Sequence, residues 1–574
     1  MSMDWSEQQQ DRLAAARGDA PADLVFTGGK VVNLFNGAIE DVDVAVHRGR
    51  VVGLGSYQGK QTVELKGAYL CPAFMEGHIH VESSLLAPAE LAKAMVPHGT
   101  CALVGDPHEI GNVLGLPGVE AMLTASRDLP MDFFFMAPSC VPATPMEDSG
   151  ADLEAGDLER LARHQRVLGL AEMMNFPGAA GGDPGVLAKL KAFRHRPIDG
   201  HAPLLSGKQL NAYLTAGPQS EHESTLRSEG AEKLAKGMWL MIRQGTSAKN
   251  LAELIPLVNP VTERRCLLVN DDLQADTLAQ RGHLDHLLRL AVGHGVDPIS
   301  ALRMVTLNPA RRFGLARRGA VAPGWRADLV VLEDLKEFEV RSVYQAGKLV
   351  AQEGRCVHPC ATAFPDVARN TMKLAPLGLE SFQVKAGGSK VRVIGLQEDQ
   401  IITQSLVEDT PQKDGLLAAD PGRDLVRLAV VERHQASGRT GMGLVKGLGL
   451  REGALASTVA HDSHNLMVAG MDDASMLTAA RRLKELGGGW VVTRGDQVLG
   501  ELPLPLAGLM SDQPLETVLA GLKDLSAGVG QVCAHPDPFM PISFLALPVI
   551  PHLKISDQGL IDVDAFAPVE LFTD

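Results

Sequence analysis

The chain has 574 residues, of which 45% are hydrophobic and 21% charged, as expected for an ordinary globular protein with two to four packed units. Its formal charge of −15 argues against a nucleic-acid partner, because phosphate binding needs a basic stripe. No run of about 18 apolar residues and no apolar signal core is present, and the seven cysteines form no C-x-x-C pair. We therefore expect a cytoplasmic protein that acts on a small molecule without a membrane partner.

Two strand-rich segments flank a long middle portion of the chain. Residues 22–56 and 324–354 both contain short apolar runs separated by Gly turns, and both include the letters ADLV. Such runs are typical of short β-strands. We predict that the two flanks, residues 1–70 and 311–360, form one small β-sandwich into which the middle portion is inserted.

The middle portion, residues 71–310, alternates between apolar runs that end in polar residues and helical patterns such as DPGVLAKLKAFRHR. This alternation predicts a parallel (β/α)8 TIM-like barrel. The predicted strand ends are AFMEGHIH, TCALVGDPHE, DFFFMAPSC, VLGLAEMMN, IDGHAP and RCLLVNDD. Residues 361–574 have a different texture and are predicted to form a separate C-terminal α+β domain, so the fold class is α/β with this added domain.

Imidazoles and carboxylates lie at these predicted strand ends. His78 and His80 are two residues apart, so on a strand they face the same side. Chemistry at the carboxyl ends of barrel strands is the rule in such folds. The set suits two divalent cations, with Glu172 bridging them and Asp271 placed on one ion and near its solvent. The predicted ligands are His78, His80, Glu172, His201, His222 and Asp271.

Longer motifs carry a family resemblance. HIHVESS, GDPHEIGNVLG, PSCVPATP, GLAEMMNFPG, DGHAPLLSGKQLNAY, RMVTLNPARRFGL, VAHDSHNLMV and ELPLPLAGLMSD are distributed over nearly the whole chain. They resemble the adenine deaminase family of the amidohydrolase superfamily. Ala73 and Glu76 stand where the family usually has Gly and Asp, and NDD and SEHES replace TDD and SDHES. The metal ligands themselves are unaffected by these departures.

The resemblance implies hydrolytic deamination of adenine to hypoxanthine and ammonia by a metal-activated hydroxide, a step of purine salvage and catabolism. It also implies two divalent ions, Mn²⁺ or Fe²⁺ with Zn²⁺ as the alternative, and a homodimer. A general base must take the proton of the attacking water and the leaving amine must receive protons. We expect Asp271 to perform this transfer and Glu172 to hold the cations.

Several further residues have more than one interpretation. Asp106 and Glu109 either take part in catalysis or, because Asp precedes Pro, belong to a helix start. Glu82 either lines the pocket or lies in a loop, and Ser206 either binds substrate or begins a helix. The cluster around His461 and His464 closes over the barrel mouth, holds an extra metal, or forms a hydrogen-bonded turn. The substrate-binding candidates are Glu82, His108, Ser206, His461 and His464.

Three other functions were weighed against adenine deamination. Another amidohydrolase reaction, such as hydrolysis of a cyclic amide or a different aminopurine, would use the same cations. A cytidine-deaminase-type zinc site is excluded, because HVE at 80–82 has no P-C-x-x-C partner in the sequence. A non-enzymatic binding protein would need an incomplete ligand set, whereas all six predicted ligands are present.

Overall fold

The computed structural model describes residues 4–360, 363–397 and 400–573. It confirms the predicted fold class, in which an α/β barrel is inserted in a β-sandwich and followed by a sheet-rich α+β domain. Within these three ranges no helix combines the length and the apolar character needed to span a bilayer.

The first flank begins with a helix that carries a capping box at Asp4 and Glu7, two residues that satisfy the free N–H groups of its first turn. Seven strands follow. The elements are α1 (Trp5–Arg17), β1 (Ala22–Thr27), β2 (Lys30–Val32), β3 (Ile39–Asp41), β4 (Val44–His47), β5 (Arg50–Leu54), β6 (Gly59–Glu64) and β7 (Tyr69–Pro72).

The barrel contains eight strands and thirteen helices among the described residues. The strands are β8 (Phe74–Ile79), β9 (Thr100–Gly105), β10 (Asp132–Ala137), β11 (Val167–Met173), β12 (Ile198–Gly200), β13 (Ser220–Glu221), β14 (Trp239–Arg243) and β15 (Cys266–Val269). The helices are α2 (Pro88–Met95), α3 (His108–Leu114), α4 (Leu116–Ala125), α5 (Ala155–Leu161), α6 (Phe176–Gly181), α7 (Pro184–Ala192), α8 (Gly207–Ala216), α9 (Arg227–Ala235), α10 (Leu251–Leu254), α11 (Ala275–Arg281), α12 (Leu284–Gly293), α13 (Pro298–Met304) and α14 (Leu307–Arg312).

Parallel pairing joins the barrel strands, in the orders β8 to β12 and β13 to β15. The ring closes where the backbone N–H of Asp271 donates to the carbonyl of His78 at 3.0 Å, and where Gln219 N donates to Ile198 O at 2.9 Å. Apolar side chains from at least five of the strands, among them Met136 and Met241, fill the interior. The barrel interior is therefore a packed core, and the chemistry is confined to one end.

Six of the eight strands coincide with the predicted strand ends, whereas β13 and β14 were not predicted. Strand β13 contains only two residues, too few to produce an apolar run. Strand β14 has the sequence WLMIR, which by itself suits a buried helix as well as a buried strand.

The second flank completes the sandwich with β16 (Leu329–Leu332), β17 (Val340–Gln345), β18 (Lys348–Gln352) and β19 (Arg355–Cys356). Strand β16 pairs antiparallel with β7, with Leu70 opposite Val331, so the two ends of the barrel leave from neighbouring strands. Phe26 and Val46 of the first sheet pack against Leu70 and Val331 of the second.

The limits 70/71, 310/311 and 360/361 stay our proposal for the domain boundaries. Strand β7 extends across the first and helix α14 across the second. Residue 361 lies outside the described residues, so the third limit falls at the edge of a described range.

The C-terminal part is built on one large sheet covered by two long helices. Met476, Ala480 and Leu483 of α15 pack on one face of this sheet. The strands of the C-terminal part are β20 (Lys390–Gly395), β21 (Gln404–Asp409), β22 (Gln412–Lys413), β23 (Leu416–Leu417), β24 (Leu425–Val431), β25 (Thr440–Lys446), β26 (Ala454–Ser457), β27 (Leu466–Gly470), β28 (Gly489–Arg494), β29 (Gln497–Pro503), β30 (Leu553–Ser556), β31 (Gly559–Asp562), β32 (Ala567–Val569) and β33 (Phe572–Thr573). Its helices are α15 (Asp473–Leu486), α16 (Leu515–Val532) and α17 (Phe539–Ser543).

Hydrogen bonds attach this part to the loops at the carboxyl ends of the barrel strands. Asn465 Nδ2 donates to Asp148 O at 2.7 Å, and Ser556 Oγ donates to Met146 O at 2.6 Å. Ser511 N donates to Leu85 O at 2.8 Å. The C-terminal domain therefore covers the mouth of the barrel.

Candidate metal centre

The six predicted ligands converge at the mouth of the barrel. His78 and Glu172 belong to β8 and β11 themselves. The others follow directly on their strands: His80 follows β8, His201 follows β12 and His222 follows β13. Asp271 follows β15 by two residues. All six side chains are buried, and we call this set the metal centre.

Glu172 lies between two groups of histidines. Its Oε1 is 3.4 Å from Nε2 of His80, whereas Oε2 is 2.6 Å from Nδ1 of His201 and 3.1 Å from Nε2 of His222. Each carboxylate oxygen thus faces a different group of imidazoles. This is the arrangement that a bridging carboxylate needs.

Asp271 occupies the opposite side of the centre. Its Oδ1 is 3.3 Å from Nε2 of His78 and 3.2 Å from Nε2 of His80. The other oxygen, Oδ2, accepts a hydrogen bond from Arg243 at 2.6 Å. One oxygen therefore faces the histidines, and the second is fixed by a guanidinium.

Backbone contacts set the tautomer of His80. Its Nδ1 is 3.1 Å from the carbonyl oxygen of Asp106, which can only accept a hydrogen bond, so Nδ1 carries the proton. The other nitrogen, Nε2, faces Asp271 and Glu172 and is the one available to a cation. A histidine whose second nitrogen is fixed in this way is oriented as a metal ligand.

The electrostatics keep both central carboxylates ionised. Burial by itself raises the pKa of Glu172, but the charges of His222 and His201 hold that pKa well below its usual value. Burial likewise raises the pKa of Asp271, and the adjacent imidazoles of His78 and His80 bring it well below the usual range. Ionised carboxylates beside imidazoles are the donor set that binds Zn²⁺, Fe²⁺ or Mn²⁺.

The donor atoms fit divalent cations in two groups. One ligand atom from each of His78, His80 and Glu172 lies within 4.8 Å of the others, and the same holds for Glu172, His201 and His222. Nε2 of His78 is buried without a hydrogen-bond partner among the described residues and faces Oδ1 of Asp271. A buried unpartnered nitrogen beside a carboxylate is the environment that a cation would satisfy.

Arg243, at the end of β14, was not predicted as a site residue. This fully buried arginine donates to Oε2 of Glu223 at 2.7 Å as well as to Asp271. Its guanidinium therefore orients Asp271 from behind. The sequence signal for Arg243 is a charged residue at the end of the apolar run WLMIR. That signal indicates a site residue only if the run is known to be a barrel strand.

The DPHE run serves both as a helix start and as part of the site. Asp106 Oδ1 accepts from the backbone N–H of His108 at 3.1 Å at the beginning of α3. Its Oδ2 lies 3.2 Å from Nδ1 of His108, whose Nε2 is 3.4 Å from Oε1 of Glu109. The two interpretations of Asp106 are thus compatible, since its two oxygens have different neighbours.

Glu109 connects the barrel to the C-terminal domain. Its Oε1 is 2.6 Å from Nδ1 of His461, and its Oε2 is bonded to Nε2 of His464. Nδ1 of His464 accepts from the backbone N–H of Ala460 at 3.1 Å, so its Nε2 carries the proton that it donates to Glu109. This tautomer favours a hydrogen-bonded cluster over an extra metal site.

Of the remaining candidates, Glu82 is brought close to the site and Ser206 is not. Glu82 is buried in a short 3₁₀ turn, and its Oε1 accepts from the backbone N–H of Ile110 at 3.1 Å. Ser206 is exposed at the position preceding α8. The structure therefore gives Ser206 a place at a helix start and no place near the metal centre.

Two of the noted departures from the family pattern contact each other. Oε2 of Glu76 accepts from Nδ2 of Asn270 at 2.7 Å, and Oε1 of Glu76 accepts from the backbone N–H of His78 at 3.0 Å. Both residues are buried directly behind ligands. The longer Glu side chain and the amide of Asn270 therefore form a hydrogen-bonded pair that supports His78.

A lining from the C-terminal domain covers the metal centre. Ile401, Asp462, Phe544 and Leu547 face the histidines across an enclosed cavity of about 20 Å³, and we call these four residues the roof. This volume is enough for about one water molecule and far below the roughly 300–1,000 Å³ of typical small-molecule pockets.

Comparison with known proteins agrees with both halves of this site. Residues 69–350 match the model of the amidohydrolase family, and residues 400–567 match that of the adenine deaminase C-terminal domain. The adenine deaminase of Desulfatibacillum aliphaticivorans is 47% identical over 98% of this chain and 99% of its own length. Adenine deaminase 2 of Carboxydothermus hydrogenoformans is 47% identical over 98% of this chain and 99% of its own. The similarity to these relatives extends over nearly the full length of both chains, and the chain belongs to the adenine deaminase family.

Proposed function

We propose that the chain is an enzyme that hydrolyses adenine to hypoxanthine and ammonia at the metal centre. The observation that carries the proposal is the position of Glu172, whose two oxygens face different groups of histidines. The full-length similarity to adenine deaminases supports adenine as the substrate.

His78, His80 and Asp271 would hold one divalent ion, His201 and His222 the other, with Glu172 between them. Bound there, two cations supply the Lewis acidity that lowers the pKa of water from about 15.7 toward about 7. Mn²⁺ or Fe²⁺ is our proposal for the native ions, with Zn²⁺ as the alternative, because mixed imidazole and carboxylate sites accept all three.

Asp271 is the residue that we assign to proton transfer. Water adds to C6 of the purine, and Oδ1 of Asp271 accepts one of its protons. The proton then passes to N6, the C6–N6 bond breaks and ammonia leaves with that proton, while the second water proton moves from the C6 oxygen to N1 and gives hypoxanthine. Arg243 on Oδ2 keeps the reacting oxygen aimed at the centre.

His108 and Glu109 are positioned to serve the ring nitrogens or a proton shuttle. His108 lines the cavity, and burial lowers the pKa of its imidazole while the charges of Asp106, Asp462 and Glu109 raise that pKa well above its usual value. A protonated His108 can donate to a ring nitrogen that gains electron density as water adds. Glu109, with His461 and His464 behind it, holds His108 in place.

An ammonia-release assay with adenine, adenosine and guanine, together with metal analysis of the same sample, tests the proposal. We expect release from adenine by protein that contains two divalent ions per chain. A preparation with both ions that opens a cyclic amide and leaves adenine intact would establish the alternative amidohydrolase reaction.

A cytoplasmic location and a homodimer complete the proposal. All seven cysteines are free thiols, which supports a reducing compartment. The dimer is supported by the family resemblance, and light scattering coupled to size exclusion will test it through the measured mass.

A further inference from the structure

Asp462 is a buried carboxylate of the roof with one oxygen that nothing satisfies. The residue is 2% exposed, and its Oδ2 has no hydrogen-bond partner among the described residues. Its Oδ1 is 3.6 Å from Nε2 of His108, which is beyond hydrogen-bond distance. Asp462 nevertheless lines the cavity over the metal centre.

An unsatisfied carboxylate in such surroundings is unfavourable unless a ligand brings a donor. A buried hydrogen-bond acceptor without a partner is destabilising, and a carboxylate more so than a neutral group. The other roof residues, Ile401, Phe544 and Leu547, place apolar side chains beside it. The roof therefore combines an apolar surface with a single strong hydrogen-bond acceptor, which suits a flat heteroaromatic ligand with an N–H group.

We propose that Asp462 binds the substrate by accepting the N–H of the five-membered ring of a free purine base. The inference rests on the proposed function and adds the basis of its selectivity. A free base has this N–H, whereas a nucleoside has a sugar at the same nitrogen. With a nucleoside, Asp462 stays unsatisfied and the sugar meets the roof.

Lys554 fixes the backbone of two roof residues. Its side chain is fully buried, and its Nζ donates to Ile401 O at 2.8 Å and to Phe544 O at 3.0 Å. Phe544 is also stacked on His461, with ring centroids 4.4 Å apart and an angle of 5° between the planes. Two roof residues are thus fixed by contacts outside the cavity, which limits how far the roof can open.

The test compares adenine with 9-methyladenine, which keeps the reacting amino group but has no ring N–H. In the wild-type enzyme we expect kcat/KM to favour adenine by about 10⁴-fold, the size of discrimination that a site built for a hydrogen bond achieves. Asp462→Leu, which has a similar size and no acceptor, should reduce this ratio at least about 100-fold by raising KM for adenine. Asp462→Asn, which keeps a weaker acceptor, should lie between.

Asp557→Asn is the matched control, since Asp557 is a buried carboxylate of the same domain that accepts from the backbone N–H of Asp148 at 3.0 Å outside the cavity. It should keep the wild-type ratio. An unchanged ratio in Asp462→Leu overturns the inference, and so does loss of bound metal in that variant, since Asp462 would then act as a ligand.

A measurement on the wild-type enzyme covers the case in which both Asp462 variants fail to fold. Hypoxanthine should inhibit adenine turnover and 9-methylhypoxanthine should not, and equal inhibition overturns the inference. The two hypotheses fail differently. Metal-loaded enzyme that releases no ammonia from adenine contradicts the proposed function, whereas equal turnover of adenine and 9-methyladenine contradicts only the role of Asp462.

Discussion

The metal centre and the roof face each other across the same cavity, yet they are built in opposite ways. In the metal centre, every carboxylate lies against imidazoles from neighbouring strands, as Glu172 does with His201 and His222. In the roof, Asp462 has an oxygen without a partner and apolar neighbours. We propose that the first holds cations and moves protons and that the second selects the substrate.

Loss of the bridging carboxylate should have the largest effect. Glu172→Gln removes the negative charge between the two groups of histidines, so we expect loss of at least one cation and, with it, of the lowered water pKa. Ammonia release should fall on the order of 1,000-fold or more, with metal content measured in parallel. Glu263→Gln, a buried carboxylate paired with Arg303 before β15, should retain both, and a variant Glu172→Gln with full metal and turnover would refute the bridging role.

Glu109→Gln tests the connection between the two regions. The change leaves the metal ligands in place but removes the charge that joins His108 to His461 and His464. We expect kcat to fall about 100-fold, as for a residue that takes part in proton transfer, with two ions still bound. Glu90→Gln is the control, because Glu90 also joins the barrel to the C-terminal domain, through Leu515 N at 3.0 Å, away from the cavity. Equal effects of the two changes would reduce Glu109 to a structural link.

Arg243→Lys should have an intermediate effect. A lysine cannot form the forked contact with Glu223 and Asp271, so Asp271 loses its fixed orientation. A loss of about 10–100-fold in metal affinity or kcat is expected for a residue behind a ligand, measured by metal titration and steady-state kinetics. Arg312→Lys alters another buried arginine–aspartate pair, with Asp199 at 2.6 Å, and should leave both quantities unchanged.

Lys554→Met should have the smallest effect, seen mainly in how the free energy of unfolding depends on pH. Burial lowers the pKa of Lys554 to about 7, so between pH 7 and about 10 the unfolded chain binds more protons than the folded one and stability rises with pH. The rise is at most about 1.4 kcal/mol per pH unit, and Lys554→Met should remove this contribution. Urea midpoints at pH 7 and pH 9 measure it.

Lys233→Met is the comparison for that experiment. Lys233 is also fully buried, but it contacts the carboxylates of Glu229 at 2.7 Å and Glu221 at 3.3 Å. Its replacement should leave the pH dependence due to Lys554 in place. If the free energy of unfolding of Lys554→Met depends on pH as it does in the wild type, Lys554 does not titrate in the folded enzyme.

The sequence predicted which residues cluster at the barrel mouth better than it predicted the roof, for a geometric reason. Parallel strands bring their carboxyl ends to one edge, so His78, Glu172 and Asp271 could be grouped without knowing any distance. The C-terminal domain is held over the cavity by contacts between residues more than 350 positions apart, such as that of His461 with Glu109. No local sequence pattern encodes such contacts, so the positions of Asp462 and Phe544 were not predicted. Arg243 was missed because the apolar run before it does not distinguish a strand from a helix.

The pairing of β7 with β16 has a consequence for how the protein is made. Because the partner of Leu70 is Val331, synthesis at about 5–20 residues per second separates the two strands by roughly 10 to 50 s. During that interval the edge of β7 that will pair with β16 is unpaired. The barrel is therefore synthesised before the second flank of the sandwich is available. The unpaired edge of β7 can pair with a wrong strand during this time. We expect a chaperone to act at this edge of the nascent chain.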